Sequence, residues 1–440
     1  MPTFSPGTRI RMANGTTVTV VDLLGAGGQG EVYKVRASSG VELALKWYTA
    51  PALITSNNFY GGMKVRSEYM TPSPVFLWPV LLTVRARNGA FGYLMRLRPP
   101  QYIEMGDYFC IDRNPDAWLR SYMAKINAGL TVADSFSRMH LEGLCFQDIN
   151  DGNFFLDPMT GDVLICDTDN IVPDGRGGGI SGKPRYMAPE VLAGQRPTCL
   201  SDRFSVAIIL YRIFMIDHPF EGRLTMDAAN SLLTTDRESE LFGADAVFCY
   251  DRRDDRNRPD PELQPNSAAF WPQMPAALRE AFEMSFSHEA LVNPSLRVSS
   301  TKWREIMASL RAKVITCPAG RGDDAHDFII DEQVPRTCPV CGAPIGPVPY
   351  LVFPGGERYY LTPGKKLYFE GGFRPVGQCV SMNTRNRGRI LGLENLTNEA
   401  WHYSYPGDYP CETEPGSSII FSDGIEIDFV GTKATLHVPR

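Results

Sequence analysis

The chain has 440 residues, 43% of them hydrophobic and 21% charged, with a net charge of −6. That length predicts two or three domains, and the acidic balance excludes a general nucleic-acid or anionic-membrane binder. No apolar run approaches the roughly 20 residues of a membrane span, and Met1-Pro2-Thr3-Phe4-Ser5-Pro6 lacks the features of a signal peptide, so a cytoplasmic location is expected. The ten cysteines are mostly single, as reduced thiols are, and only Cys338 and Cys341 form a CxxC.

Residues 15–98 read mostly as strands. Val18–Val21 and Val32–Val35 flank Gly25-Ala26-Gly27-Gly28-Gln29-Gly30, a glycine turn between two strands; a dinucleotide site would lead into a helix instead. Val41–Lys46 and Phe91–Leu97 are further strands, with a short helix expected over Met63–Met70. Residues 117–141 carry Leu119, Met123, Ile126, Leu130, Ala133 and Phe136 at helical spacing. Phe154–Leu156 and Val163–Ile165 flank a hairpin turn, Asp202 is placed to cap a helix Phe204–Met215, and helices follow over Ala276–Phe286 and Ser300–Ala312. Residues 250–266 read as a polar loop, and 313–349 break into cysteines, prolines and glycines. From Tyr350 onward short strands alternate with turns: Leu351–Phe353, Tyr359–Leu361, Lys366–Phe369, and a last hairpin pairing Ile419–Phe421 with Ile425–Phe429.

The polar landmarks suit phosphoryl transfer, which needs donors around phosphates, Mg²⁺ ligands and a carboxylate near the acceptor hydroxyl. Gly25, Ala26, Gly27, Gly28, Gln29 and Gly30 let the backbone approach a triphosphate closely, with Val32 and Ala44 beside them. Lys46, in an apolar strand, is placed for the α/β phosphates, and Glu68 is expected to hold it by an ion pair. Met95, Arg96 and Leu97 would form the adenine-facing hinge. Asp148 and Asn153 stand at the D-x-x-x-x-N interval, the first facing the hydroxyl and the second binding Mg²⁺; an Asp/Asn-rich turn is the bland alternative. Asp167 directly follows a strand and is the expected second Mg²⁺ ligand, with Asp169 as its rival.

With Ala188-Pro189-Glu190, these pieces resemble the eukaryotic-like serine/threonine protein kinases over about residues 15–312. The resemblance implies an α+β, two-lobed fold (1–98 and 99–312) with ATP in the cleft and a protein substrate. It also implies that Ser201-Asp202-Arg203 opens the large central helix, whose Asp supports the catalytic loop, and that Arg297 pairs with Glu190. The chain departs from the family in three places. Phe146-Gln147 replaces His-Arg, so activity should not depend on an activation-loop phosphate. Asp167-Thr168-Asp169 replaces Asp-Phe-Gly. Asn150 replaces a phosphate-neutralising lysine, for which Lys183 is the candidate substitute, unless it is only a solvated loop lysine. A pseudokinase, binding nucleotide as a scaffold whose β-sandwich docks partners, is the alternative. Some bacterial kinases share these departures, and in that group a von Willebrand-type domain protein and a metal-dependent phosphatase tend to be encoded nearby.

Thr337-Cys338-Pro339-Val340-Cys341-Gly342 resembles half a zinc ribbon within a linker, 313–346. Cys317 and His326, or Asp327, would complete a Cys₃His-type zinc site; otherwise the ribbon has lost its metal. Residues 347–440 are expected to form a small all-β sandwich resembling forkhead-associated domains, with Leu393–Asn398 as a loop. The phosphothreonine-reading Ser-x-x-His is missing, although Asn383–Arg389 is a polar, basic turn.

Overall fold

The computed structural model describes residues 2–109, 121–176, 182–229, 234–320, 322, 325–331, 334–369, 371–384 and 388–439. Leu119, Ser181 and Arg385–Arg387 fall outside them.

The first lobe is an antiparallel sheet of strands β1 (Arg9–Arg11), β2 (Thr17–Ala26), β3 (Gly30–Ala37), β4 (Glu42–Tyr48), β5 (Leu81–Leu82) and β6 (Gly92–Arg96), in the order β1-β2-β3-β4-β6-β5. Two register shifts bend the β2–β3 hairpin that carries the glycine turn. Side chains alternate across β4: Leu45 and Trp47 pack in one apolar cluster with Val20 and Val35, while Ala44 and Tyr48 pack in another with Met63, Tyr93 and Met95. Lys46 therefore shares its face with Ala44 and Tyr48. The helix beside the sheet runs over Asn57–Glu68, earlier than Met63–Met70, because the Ser56 hydroxyl caps it by accepting from Phe59 N.

The second lobe is built on two long helices. Tyr122–Leu141 and Cys199–Met215 are buried along most of their length and share one large core with Phe146, Phe154, Ile165, Phe282 and Trp303. The second begins before Phe204 because Thr198 and Ser201 form a reciprocal capping box. Asp202 is thus not the cap; it lies inside the helix, 2% exposed. Phe154–Leu156 and Val163–Ile165 pair antiparallel, as the hairpin signal implied. Arg297, whose side chain is wholly buried, forks onto Glu190 with bonds of 2.7 and 2.8 Å and reaches the Leu200 carbonyl at 3.1 Å. This clamp ties the segment 184–192 to the helical core.

Beyond the helix Ser300–Lys313, strands Val314–Thr316 and Asp327–Ile329 pair antiparallel. Asp327 lies at the start of the helix Tyr122–Leu141. Its carboxylate accepts from Ser121 Oγ (2.7 Å), Tyr122 N (2.6 Å) and Met123 N (3.0 Å), which pairs a negative charge with the helix N-terminus. Strands of a six-stranded and a four-stranded antiparallel sheet then close over one core containing Leu351, Leu393, Trp401, Ile419 and Leu436. Lys365 of this unit donates to the carbonyls of Ala312 and Val314 at 2.7 and 2.6 Å, fixing it to the end of the preceding helix.

Two expectations for the tail fail. Ser418–Ile420 pairs with Gly388–Asn395, whereas Ile425–Asp428 pairs with Trp401–Ser404 and Lys433–His437. The turn at 422–424 therefore carries the chain between sheets rather than closing a hairpin, and this lets Ile419 and Ile425 face the same core. Leu393, Glu394 and Asn395 are strand residues, so the loop begins only after Asn395, whose side chain donates to the Glu399 and Thr413 carbonyls. Among the described residues no helix is long and apolar enough to cross a membrane.

Asp327→Ala should lower the free energy of unfolding by about 1–3 kcal/mol in denaturant titration, the range for orphaning a buried donor. Glu190→Gln strips the counter-charge from a buried guanidinium and should cost about 3–5 kcal/mol in the same measurement.

Candidate active site

The glycine turn is closed by Gly27 N donating to Gly30 O at 2.8 Å. A side chain at Gly30 is excluded, since a Cβ there would lie 2.0 Å from the Trp47 carbonyl oxygen. Residues 25–28 are exposed along the rim, whereas Gln29 turns inward and accepts from Lys46 Nζ at 2.9 Å. Below the rim Val32, Ala44, Met95 and Leu97 gather in one apolar cluster with Phe155 and Cys166, a surface suited to a planar base. Arg96 points outward and bonds the Pro74 carbonyl.

Lys46 is 5% exposed. Its ammonium lies 3.1 Å from Asp167 Oδ1 and 3.1 Å from both oxygens of Asp169. Burial works against its charge, yet the two carboxylates outweigh burial and raise its pKa above the lysine value. The expected pair with Glu68 does not form: Glu68 is exposed on the last turn of the helix, and Lys46 is satisfied from the opposite side. Asp169 is the residue the sequence reading missed in this role. An acid where the related motif has glycine was the available signal.

Asp167 sits at φ +53°, a left-handed conformation that Asp tolerates better than most residues, and this turns the chain sharply after the strand. Thr168, fully buried, donates to the Leu77 carbonyl at 3.2 Å and pins the turn. Burial, reinforced by Asp169 and Asp148, pushes the Asp167 carboxyl above the usual range against the pull of Lys46. Asp169 is the reverse case: burial is outweighed by Lys46 and the Tyr48 hydroxyl, which hold it below that range.

The loop from Asp148 to Asn153 is braced from within. Asn150 Nδ2 donates to Asp148 Oδ1 at 2.7 Å, and Asn153 Nδ2 donates to the Asp148 carbonyl at 2.7 Å. With its nitrogen committed, Asn153 keeps Oδ1 as an acceptor, 3.9 Å from the thiol of Cys166, the neighbour of Asp167. Behind the loop, Asp202 Oδ2 accepts from Phe146 N at 2.8 Å and lies 3.1 Å from His140 Nε2. This is the support that the resemblance implied. Lys183 reaches the loop as well, but onto Asp151 Oδ1 at 2.7 Å, and Arg212 holds the other Asp151 oxygen at 3.1 Å. Gly182 brings that strand of chain beside Asp148, where a Cβ would lie 3.3 Å from Oδ1.

Away from the cleft, Cys317, His326, Cys338 and Cys341 converge, with all four ligand atoms within 4.8 Å of one another. The Cys317 and Cys341 sulfurs are 3.7 Å apart, and His326 Nε2 is 3.2 Å from Cys338 Sγ.

The family profile described as protein kinase domain matches residues 100–260. Protein kinase C delta type of Mus musculus is 31% identical over 125 residues, 28% of this chain and 16% of that protein. The serine/threonine-protein kinase AtPK2/AtPK19 of Arabidopsis thaliana is 22% identical over 210 residues, 46% of this chain and 42% of that protein. The chain thus spans less than half the length of these curated relatives. The solved kinase domain of Mycobacterium tuberculosis PknI is 20% identical, covers 69% of this chain and 98% of its own, and has a TM-score of 0.42. Residues 100–260 thus match the protein kinase domain in sequence, and the two-lobed body is followed by a strand-rich C-terminal domain.

Proposed function

We propose that the chain is a serine/threonine protein kinase that moves the γ-phosphoryl group of ATP to a hydroxyl of a protein substrate. The observation that carries this reading is the convergence of Lys46, Asp148, Asn153 and Asp167 beside an apolar, base-sized surface. Asp148 would orient the acceptor hydroxyl and take its proton, with Asn150 and Asn153 fixing its position. Lys46 would hold the α/β phosphates. A carboxylate and an amide oxygen, from Asp167 and Asn153, are hard donors that suit magnesium, which would supply charge neutralisation between the phosphates. Lys183 would bring a cation to the loop from the activation segment, replacing the lysine that Asn150 displaces.

Activity without loop phosphorylation is part of the proposal. Gln147 stands where a phosphate-receiving arginine would be, and Arg185 is already engaged by Glu221 and Glu238. The departures from the family favour a bacterial, cytoplasmic signalling kinase, with a von Willebrand-type domain protein and a metal-dependent phosphatase as partners. The two-sheet tail, read as a forkhead-associated-like sandwich, would dock such partners rather than nucleic acid or membrane.

The cysteine cluster fits zinc. With Zn–S bonds of about 2.3 Å, a tetrahedral site has S···S edges of about 3.8 Å, and the Cys317–Cys341 separation is 3.7 Å. Its role would be structural, holding the strand whose Asp327 caps the helix Tyr122–Leu141.

After phosphatase treatment, the purified full chain should still transfer labelled phosphate from ATP with Mg²⁺. Asp148→Ala and Asp167→Ala should each lose at least about a hundredfold, and Lys183→Ala should lower turnover. Nucleotide binding without transfer, with partners supplied, would favour the scaffold reading. Elemental analysis should find one zinc per chain, and a strong chelator should lower the melting temperature; a metal-free chain of equal stability would refute the zinc site.

A further inference from the structure

The carboxylate that steadies the phosphate-binding lysine of a kinase was expected at Glu68, which the helix Asn57–Glu68 carries on its last turn. That helix instead turns Met63 toward the site, 1% exposed with its sulfur 4.0 Å from the Tyr48 hydroxyl. Arg66 follows, its guanidinium bonded to the Ile171 carbonyl and set over Trp78. A thioether and a cation cannot neutralise an ammonium, and Glu68 is exposed. On the other side, both oxygens of Asp169 lie 3.1 Å from Lys46 Nζ. The Tyr48 hydroxyl donates to Asp169 Oδ2 at 2.7 Å, from a position two residues beyond Lys46 on the same strand face. The Asp169 side chain is 1% exposed, so its charge has to be matched locally, and these groups match it.

We infer that Asp169, braced by Tyr48, is the positioning residue for Lys46 and takes the place of the helix carboxylate. The inference rests on the kinase reading above. It puts the lysine's partner and the metal ligand Asp167 on one short turn, Thr168–Asn170 with Asp167 at its start. The lysine is then oriented by the turn that follows the strand Val163–Ile165, and displacement of the helix Asn57–Glu68 would not uncouple it.

The test compares Asp169→Asn, Asp169→Glu, Tyr48→Phe and Glu68→Gln in the full chain, by steady-state kinetics in ATP, Mg²⁺-ATP affinity and thermal melting. Asp169→Asn should lower kcat about ten- to a hundredfold with a smaller change in KM. Asp169→Glu should recover part of that loss, Tyr48→Phe should lose about three- to tenfold, and Glu68→Gln should stay within twofold. A loss in Glu68→Gln equal to that in Asp169→Asn would overturn the inference, and so would Asp169→Asn within twofold of the parent. Should Asp169→Asn fail to fold, Tyr48→Phe with unchanged melting decides: kinetics within twofold of the parent refute the brace. If the parent chain shows no phosphotransfer, the kinase reading fails separately, and Mg²⁺-ATP affinity decides. Weakening at least fivefold in Asp169→Asn but not in Glu68→Gln would support the inference, and any other pattern would overturn it.

Discussion

A buried ammonium has to be neutralised where it stands, and much of the cleft is arranged around that requirement at Lys46. Taking the charge from water costs several kcal/mol unless counter-charge and hydrogen bonds replace the lost solvation. Gln29, Asp167 and Asp169 provide them. To bring two acids so close, the chain must leave the strand Val163–Ile165 and reverse at once, and the left-handed Asp167 with its short helical turn does this. Thr168 bonded to Leu77 and Tyr48 bonded to Asp169 keep the turn against the first lobe. The glycine turn, the cleft wall and the turn at Asp167–Asn170 are thus linked through one cation.

The same rule governs how the rest of the chain is joined. Arg297 is matched by Glu190, and this sets the segment 184–192 on the helical core. Lys365 has no carboxylate partner among the contacts described and instead meets two carbonyls at the end of the helix Ser300–Lys313. Arg311 bonds the Gly372 carbonyl and lies over the Tyr368 ring. Asp327 supplies the opposite charge at the N-terminus of the helix Tyr122–Leu141. Helix ends carry unsatisfied backbone groups and partial charge, so the strand-rich domain and the cysteine segment are tied to the second lobe through groups that the lobe would otherwise leave open.

What could be read in advance follows the range of the interactions involved. The glycine turn, the lysine strand, the Asp148–Asn153 interval and the helices Ala276–Phe286 and Ser300–Lys313 depend on local pattern, and each lies at or near its expected place. The four members of the cysteine cluster were also legible, because two share a CxxC turn and the others flank the neighbouring strands. Glu68 was misread because helical position alone does not tell which side chain faces a cleft. The isoleucine strands near the end were misread because a short turn between two apolar runs signals a hairpin equally well when the runs belong to different sheets. Thr198 beat Asp202 as a cap because the pair Thr198 and Ser201 satisfies the helix start reciprocally, freeing Asp202 for the backbone N–H of Phe146.

A crystal structure of the full chain with Mg²⁺ and a non-hydrolysable ATP analogue tests the central claim most directly. The account predicts nucleotide phosphates under the glycine turn, metal on Asp167 and Asn153, and Lys46 still within hydrogen-bond distance of Asp169. Nucleotide bound elsewhere, or Lys46 drawn onto Glu68 by a rotated helix, would contradict it.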